Sequence, residues 1–365
     1  MSAPNSGHMK ADLAMKALYV HPDRRRFDAL IGVGGIGTGQ FFALDGDQTL
    51  GREESRSGRL LDRRDYCKLH IIAHYVKRLL GDAAAVYPIG CVGRDAEGER
   101  LLQEMADAGL DMRWVRSLTG VPTLSSFCFL YPDGSGGNLT GRDSASDQVD
   151  ESQVRQSDAY LRTYGPRALV LAVPEVPLAA RRALLDLGSA RGSYRVAALT
   201  QGELATSDGQ ALLGQVDLLA LNRGEASVFA YGEERDVDRT TLFEAAVRRW
   251  RALRPSAVLS VTFGSEGSGL WDGRVASFIP ALPVRVEGSA GAGDAHLAGL
   301  LSGLAVGLTP IAAHSLASWV AALAVTSPHT IHPDLDGVLL RKFAEDRRLQ
   351  IPAEWRAVVL ADKPG

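Results

Sequence analysis

The stretch Glu287–Gly307, EGSAGAGDAHLAGLLSGLAVG, decides how this chain is read. A turn of small residues, Gly291-Ala292-Gly293, delivers an acid, Asp294, and then a long apolar run at helical length. The first N–H groups of a helix have no partner within it, and the positive end of the helix dipole lies there, so such a turn is an anion site. Glycines let the backbone approach the anion closely. A carboxylate at an anion site is explained if it takes the proton of a hydroxyl that then attacks the anion, which is phosphoryl transfer to an alcohol. The plainer reading is a flexible turn in which Asp294 caps the helix.

The rest of the chain bounds the answer. Its 365 residues allow a full core, in one large domain or two smaller ones. With 45% apolar and 23% charged residues it has the composition of a soluble globular protein. A net charge of −3 gives no reason to expect nucleic acid or an anionic membrane as a partner. Cys67, Cys91 and Cys128 form no C-x-x-C pair and read as buried, reduced thiols of a cytoplasmic protein. No apolar run reaches membrane-spanning length, and no signal-peptide core is present at the start.

Short apolar runs and helical periodicities alternate along the chain. Phe27–Gly34, Ala83–Val92, Val121–Tyr131, Ala168–Val173, Tyr194–Leu199, Val216–Leu221 and Ala257–Thr262 read as strands. Asp65–Leu80, Glu97–Ala108, Pro177–Leu187, Arg223–Tyr231 and Thr240–Leu253 read as helices, and two long apolar helices, Gly293–Val306 and Pro310–Val325, close the pattern. Gly267–Trp271 and Val275–Ile279 read as a hairpin around Asp272-Gly273. Such alternation predicts an α/β fold, a central mainly parallel sheet with helices on both faces and ligands at the carboxyl ends of the strands. Residues 1–26 read as an irregular arm, 27–345 as the folded domain and 346–365 as a tail. Gln40–Arg64 is polar and rich in Gly and Arg, so a small β lid is expected from parts of 38–64 and 112–145.

Three features fall at successive strand exits: Asn222-Arg223-Gly224-Glu225, Thr262-Phe263-Gly264-Ser265-Glu266-Gly267, and the Gly291–Asp294 turn. Upstream, Ile89-Gly90-Cys91-Val92-Gly93-Arg94-Asp95 leads through Gly98 to Gly109-Leu110-Asp111. In this order and spacing the chain resembles the PfkB carbohydrate kinases, the ribokinase-like family, from about Phe27 to about Leu340. The resemblance implies ATP and Mg²⁺ as cofactors and a small hydroxylated acceptor, a sugar or sugar derivative. Asp294 matches the family's catalytic base, and the amides of Gly291, Ala292 and Gly293 match its anion hole. Asn222 and Glu225 match its N-x-x-E motif, which orders the metal largely through water, as suits an ion that dehydrates reluctantly. Thr262, Gly264 and Gly267 match the loop along the nucleotide, and Ser318 falls where many members place a residue near the adenine. Lid-mediated dimers occur in the family, which makes a homodimer a candidate assembly.

The chain also departs from the family. Gly288, Ser289 and Ala290 stand where many members have Asp-Thr-x, and loss of that acid argues against strong potassium activation. The usual Gly-Gly and Asn of the sugar site are missing from Arg63-Arg64-Asp65-Tyr66-Cys67-Lys68-Leu69-His70, and no acid follows the first strand. Arg52, Arg56, Arg59, Arg63, Arg64 and Lys68 make this region basic; it reads as a solvated loop or as the partner of an anionic acceptor.

Two other function classes remain open. One is a non-catalytic ligand-binding or regulatory protein on a kinase scaffold, against which the retained Asp294 argues. The other is an NAD-dependent oxidoreductase, from Gly32-x-Gly34-x-x-Gly37 with Glu53 and Glu54 beyond it, although too few residues follow for the helix that should hold a pyrophosphate. His70 and His74 sit four apart on a predicted helix without a third ligand, and a core role is expected.

Overall fold

Ala29–Val33 is buried at all five positions, which is what a short apolar run gives when both faces of a strand are covered. In the computed structural model, which describes residues 17–18, 22–49, 51–132, 136–347 and 355, this run is the first of the strands. In chain order they are β1 (Ala29–Val33), β2 (Gly37–Leu44), β3 (Gly58–Tyr66), β4 (Ala85–Gly93), β5 (Trp114–Leu118), β6 (Leu124–Leu130), β7 (Gly136–Thr140), β8 (Ala168–Ala172), β9 (Tyr194–Ala198), β10 (Leu218–Asn222), β11 (Val258–Thr262), β12 (Ser268–Trp271) and β13 (Ala276–Ile279).

Nine of them form one sheet in the order β13-β12-β11-β10-β9-β8-β1-β4-β5. It is parallel from β5 through β11. The hairpin predicted around Asp272-Gly273 adds β12 and β13 antiparallel at one edge. The core is divided between the two faces of this sheet. On one face, helices Lys68–Leu80, Ala292–Ala305 and Pro310–Ala324 pack together through residues such as Leu69, Leu301 and Leu316. On the other, helices Leu178–Arg191, Arg223–Tyr231 and Arg239–Leu253 supply Leu184, Phe229 and Trp250.

Four strands form a second, smaller sheet in the order β3-β2-β6-β7. Most of the polar stretch Gln40–Arg64 lies in β2, β3 and the connection between them. An edge strand with one solvated face, such as β3, tolerates polar residues that hide it from a search for apolar runs. Part of the expected lid segment 112–145 sits elsewhere, because β5 pairs with β4 at the edge of the main sheet. The first long helix begins at Lys68 rather than Asp65, since Asp65 and Tyr66 still pair with Gly39 and Thr38 of β2.

The dinucleotide reading of Gly32–Gly37 fails on the same geometry. Gly37 opens β2, so no helix start follows the fingerprint. A side chain at Gly37 would meet the backbone oxygen of Leu124 at 2.4 Å, so the glycine is needed for the approach of β6. Cys67, Cys91 and Cys128 are free and buried. Most of the arm over 1–26 and of the tail over 346–365, and positions 133–135 of the expected turn after β6, lie outside the described residues. No helix among the described residues is long and apolar enough to cross a membrane.

Candidate active site

Helix Ala292–Ala305 is buried at every position from Ala295 onward, so the core fixes where its first turn points. Gly291 is its N-cap, in a left-handed conformation (φ 77°) that offers no side-chain cap to the amides that follow. A side chain at Gly291 would also lie 2.8 Å from the backbone oxygen of Thr330. Asp294 stands in that first turn, only 14% exposed, and its Oδ1 lies 3.2 Å from Nζ of Lys68.

Lys68 is the first residue of helix Lys68–Leu80, and it is the hub of the local charges. The Asp294 carboxylate holds its ammonium above the usual lysine range against the opposing effect of burial, and Glu225 and Glu175 act in the same direction. Burial pushes the Glu175 carboxyl up to about 7, opposed by Lys68. Burial also raises Glu225, again opposed by Lys68. One cation therefore serves three acids from three different elements. The sequence counted Lys68 only as part of a basic segment and did not single out Glu175. Their chain neighbours give no motif, and only folding brings them to Asp294.

The other motifs meet the same turn. Asn222 ends β10, Thr262 ends β11, and the two are register partners. A side chain added at Gly293 would lie 3.6 Å from the Thr262 hydroxyl oxygen. Asn222 and Glu225 form a capping box: Oδ1 of Asn222 accepts from the Glu225 N–H at 2.9 Å, and Oε2 of Glu225 accepts from the Asn222 N–H at 2.8 Å. This fixes the helix start and leaves a second lone pair on Oδ1 of Asn222 and the other oxygen of Glu225. Gly264 (φ 58°) stands beside open space, and Gly267 (φ 105°) would run into the Ile279 carbonyl if it carried a side chain. An Arg223–Glu266 ion pair ties the capping-box helix to this loop.

Ser318 is part of a buried network that reaches Ser268, the residue after Gly267. The Ser318 hydroxyl donates to the His314 carbonyl at 3.1 Å and lies 3.4 Å from the Ser268 hydroxyl. Ser268 in turn contacts Nε2 of His314 at 2.8 Å and Nε2 of His296 at 3.1 Å. Burial pushes His314 down to about 4 and His296 down to about 3, so both imidazoles are neutral at physiological pH.

Residues 72–336 match the model of the pfkB family of carbohydrate kinases. The chain belongs to the pfkB family. A curated relative, the "Uncharacterized sugar kinase YegV" of Escherichia coli (strain K12), is 36% identical over 108 residues, covering 28% of this chain and 32% of that protein. The chain thus aligns with about a third of that relative's length. Among solved structures, ribokinase of Arabidopsis thaliana complexed with ribose and ATP has a TM-score of 0.66 at 21% identity, covering 82% of this chain and 93% of that one. Ribokinase of Cryptococcus neoformans var. grubii serotype A in complex with ADP has a TM-score of 0.69 at 18% identity, covering 87% and 99%. The fold is ribokinase-like.

Part of the basic segment 52–68 is paired with acids in the fold. Arg56 is spent on Glu54 and Gln48, and Arg64 on Glu104. Asp65 is buried, and the groups that reach its carboxyl are Cys128, Ser126, Thr330 and the Tyr66 backbone, none of them a cation. Burial raises its pKa accordingly. The buried thiol of Cys67 is pushed well up by desolvation and, next, by Glu175, Asp65 and Asp294, so all three carboxyls lie within electrostatic reach of one atom. His70 is a core residue and His74 is half-buried one turn further on; burial lowers both, His74 to about 4. A cavity of about 810 Å³ opens at the opposite end of the sheet, lined in part by Arg195, Asp217 and Arg254, but both of these arginines pair with Asp217.

Proposed function

We propose that this pfkB protein transfers the γ-phosphoryl group of ATP to a hydroxyl of a small sugar or sugar derivative, with Asp294 as the general base. The observation that carries the reading is Asp294 in the first turn of an uncapped, buried helix, 3.2 Å from Lys68. Asp294 takes the proton of the attacking hydroxyl, and the amides of Gly291, Ala292 and Gly293 stabilise charge on the transferring group. Lys68 stands at the base and adds a positive charge beside the reacting atoms. Thr262, Gly264 and Gly267 form the loop along the nucleotide. Ser318 acts behind it, through the Ser268 network.

In the capping box Oδ1 of Asn222 keeps a second lone pair and Glu225 keeps its other oxygen, and Glu225 is one of the acids around Lys68. Oxygen donors of this kind fit a magnesium ion that keeps several waters. When bound, Mg²⁺ supplies charge neutralisation on the nucleotide phosphates; Asn222 and Glu225 would hold it through its waters.

The second sheet is proposed as the lid of the domain spanning 27–345. Its Asp65, with Glu175 and Asp294, makes the acceptor side acidic apart from Lys68. A neutral, hydroxylated acceptor suits these carboxyls, which accept hydrogen bonds; an anionic one does not. Of the two sequence readings of the basic segment, this proposal takes the solvated loop rather than the partner of an anionic acceptor. A cytoplasmic location and a homodimer built through the lid complete the proposal. The alternative of a non-catalytic binding protein is disfavoured by the base, the cation and the uncapped turn standing together. The test is an ATP-consumption screen over neutral sugars, polyols, nucleosides, sugar acids and sugar phosphates. Phosphorylation of a neutral hydroxylated compound supports the reading, and ATP-independent binding without product supports the alternative.

A further inference from the structure

We infer that Thr330 is a positioning residue that couples the second sheet to the anion-hole turn. The inference rests on the proposed kinase reading of the Asp294 site. Thr330 is 2% exposed and lies in the connection after helix Pro310–Ala324. On one side it is stitched to the end of β3. Its N–H donates to the Arg64 carbonyl at 3.1 Å, and its hydroxyl oxygen accepts from the Tyr66 N–H at 3.1 Å. His329 adds a third bond, with Nδ1 accepting from the Arg64 N–H at 3.0 Å.

On its other side Thr330 meets Gly291. A side chain at Gly291 would lie 2.8 Å from the Thr330 carbonyl oxygen and 3.0 Å from its Cβ, so the left-handed turn is seated directly on this residue. The hydroxyl of Tyr75, on helix Lys68–Leu80, donates to the same carbonyl at 3.4 Å and accepts from the His332 N–H at 2.7 Å. The carbonyls of Ser327 and Pro328 stand equally close to Gly288, each 3.1 Å from where a side chain would start. The segment 327–330 is therefore a wedge between β3 and the turn that holds the anion-hole amides.

β3 also reaches the catalytic centre by a second route. It runs through Cys67 into Lys68, whose ammonium lies on Asp294. The second sheet thus touches the base through Lys68 and the anion hole through Thr330. A shift of that sheet is therefore passed to the base and to the anion-hole turn together. Packed interfaces of this kind transmit small shifts because they do not deform continuously.

The experiment compares Thr330→Val, which keeps the shape but removes the hydroxyl that accepts from the Tyr66 N–H and reaches the Asp65 carboxyl, with Thr330→Ser, which keeps that hydroxyl. A misplaced anion hole should lower kcat of Thr330→Val on the order of ten- to a hundredfold. KM for ATP should stay within about twofold, the split expected when only transition-state contacts are lost. Thr330→Ser should retain most of the activity. Hydrogen exchange of the full-length protein is the second readout: Thr330→Val should speed exchange in 288–294 while leaving helices Leu178–Arg191 and Arg239–Leu253 unchanged. Wild-type kcat in Thr330→Val, equal losses in both variants, or exchange that is unchanged or raised evenly over the chain each overturns the inference. If the wild-type protein phosphorylates nothing, the kinase reading fails, and the exchange arm still decides whether Thr330 holds the turn.

Discussion

The ammonium of Lys68 lies 3.2 Å from Oδ1 of Asp294, joining the first residue of one core helix to the first turn of another. Both helices belong to the same face of the main sheet and pack closely, so the pair is held by the core and not by its own attraction. The pair is partly exposed, 30% for Lys68 and 14% for Asp294, so solutes can reach it.

The pair gives a first prediction. Lys68→Met keeps the length of the stem but removes the charge that Asp294, Glu225 and Glu175 share. We expect kcat to fall by at least about tenfold, in line with the loss of one preorganised charge at a transferring phosphoryl group. Steady-state kinetics with saturating ATP and acceptor check it. Wild-type kcat in this variant would make Lys68 a structural counter-ion only.

The metal gives a second. Glu225→Gln keeps an oxygen for the capping box and removes the charge, so the fold should be retained. The Mg²⁺ concentration for half-maximal rate should rise, read by titrating Mg²⁺ at fixed ATP. Potassium should have little effect on the rate, because Gly288 stands where an acid would help hold the ion. An unchanged Mg²⁺ curve would leave Glu225 as a helix-start acid alone.

A third concerns Glu175 and pH. Folded Glu175 keeps its proton up to about 7, whereas the unfolded group releases it near the ordinary 4.5. Between these values the folded state binds more protons, so this group's contribution to stability falls as pH rises. Glu175→Gln does not titrate. The stability of the variant relative to wild type should therefore grow from pH 4.5 to 7, by up to about 3 kcal/mol at roughly 1.4 kcal/mol per pKa unit. Denaturant unfolding at four or five pH values measures it. Parallel stability profiles for the two proteins would contradict the shift.

Much of the fold was legible because it is written in local pattern. The apolar runs at Ala29–Val33 and Ala168–Ala172 gave buried strands, and the Gly291–Asp294 turn marked a helix start that the structure places at Ala292. What was not legible depends on tertiary contact. β3 carries Arg59, Arg63 and Arg64 and hides as a loop because an edge strand with a solvated face needs few apolar residues. Asp65 falls within the helical spacing of 65–80, and its strand pairing with Gly39 leaves no trace in that spacing. Lys68, Glu175 and Thr330 carry no motif in the chain; each acquires its place beside Asp294 or Gly291 only through packing. The basic character of 52–68 leaves a solvated loop and an anion partner both open, because charge can be counted in a sequence while the pairing of Arg56 with Glu54 and of Arg64 with Glu104 cannot.

The central claim is that Asp294 is the base of a phosphoryl transfer. The most direct measurement is kcat of Asp294→Asn on the acceptor that the wild-type protein phosphorylates, alongside ATP binding by calorimetry and thermal unfolding. The amide keeps the shape but cannot take the proton, and loss of a general base costs on the order of 10²–10⁴ in rate. The account predicts a loss of that size, with ATP affinity and folding close to wild type. A variant that folds, binds ATP and keeps more than about half of the wild-type kcat, far outside that range, would contradict it.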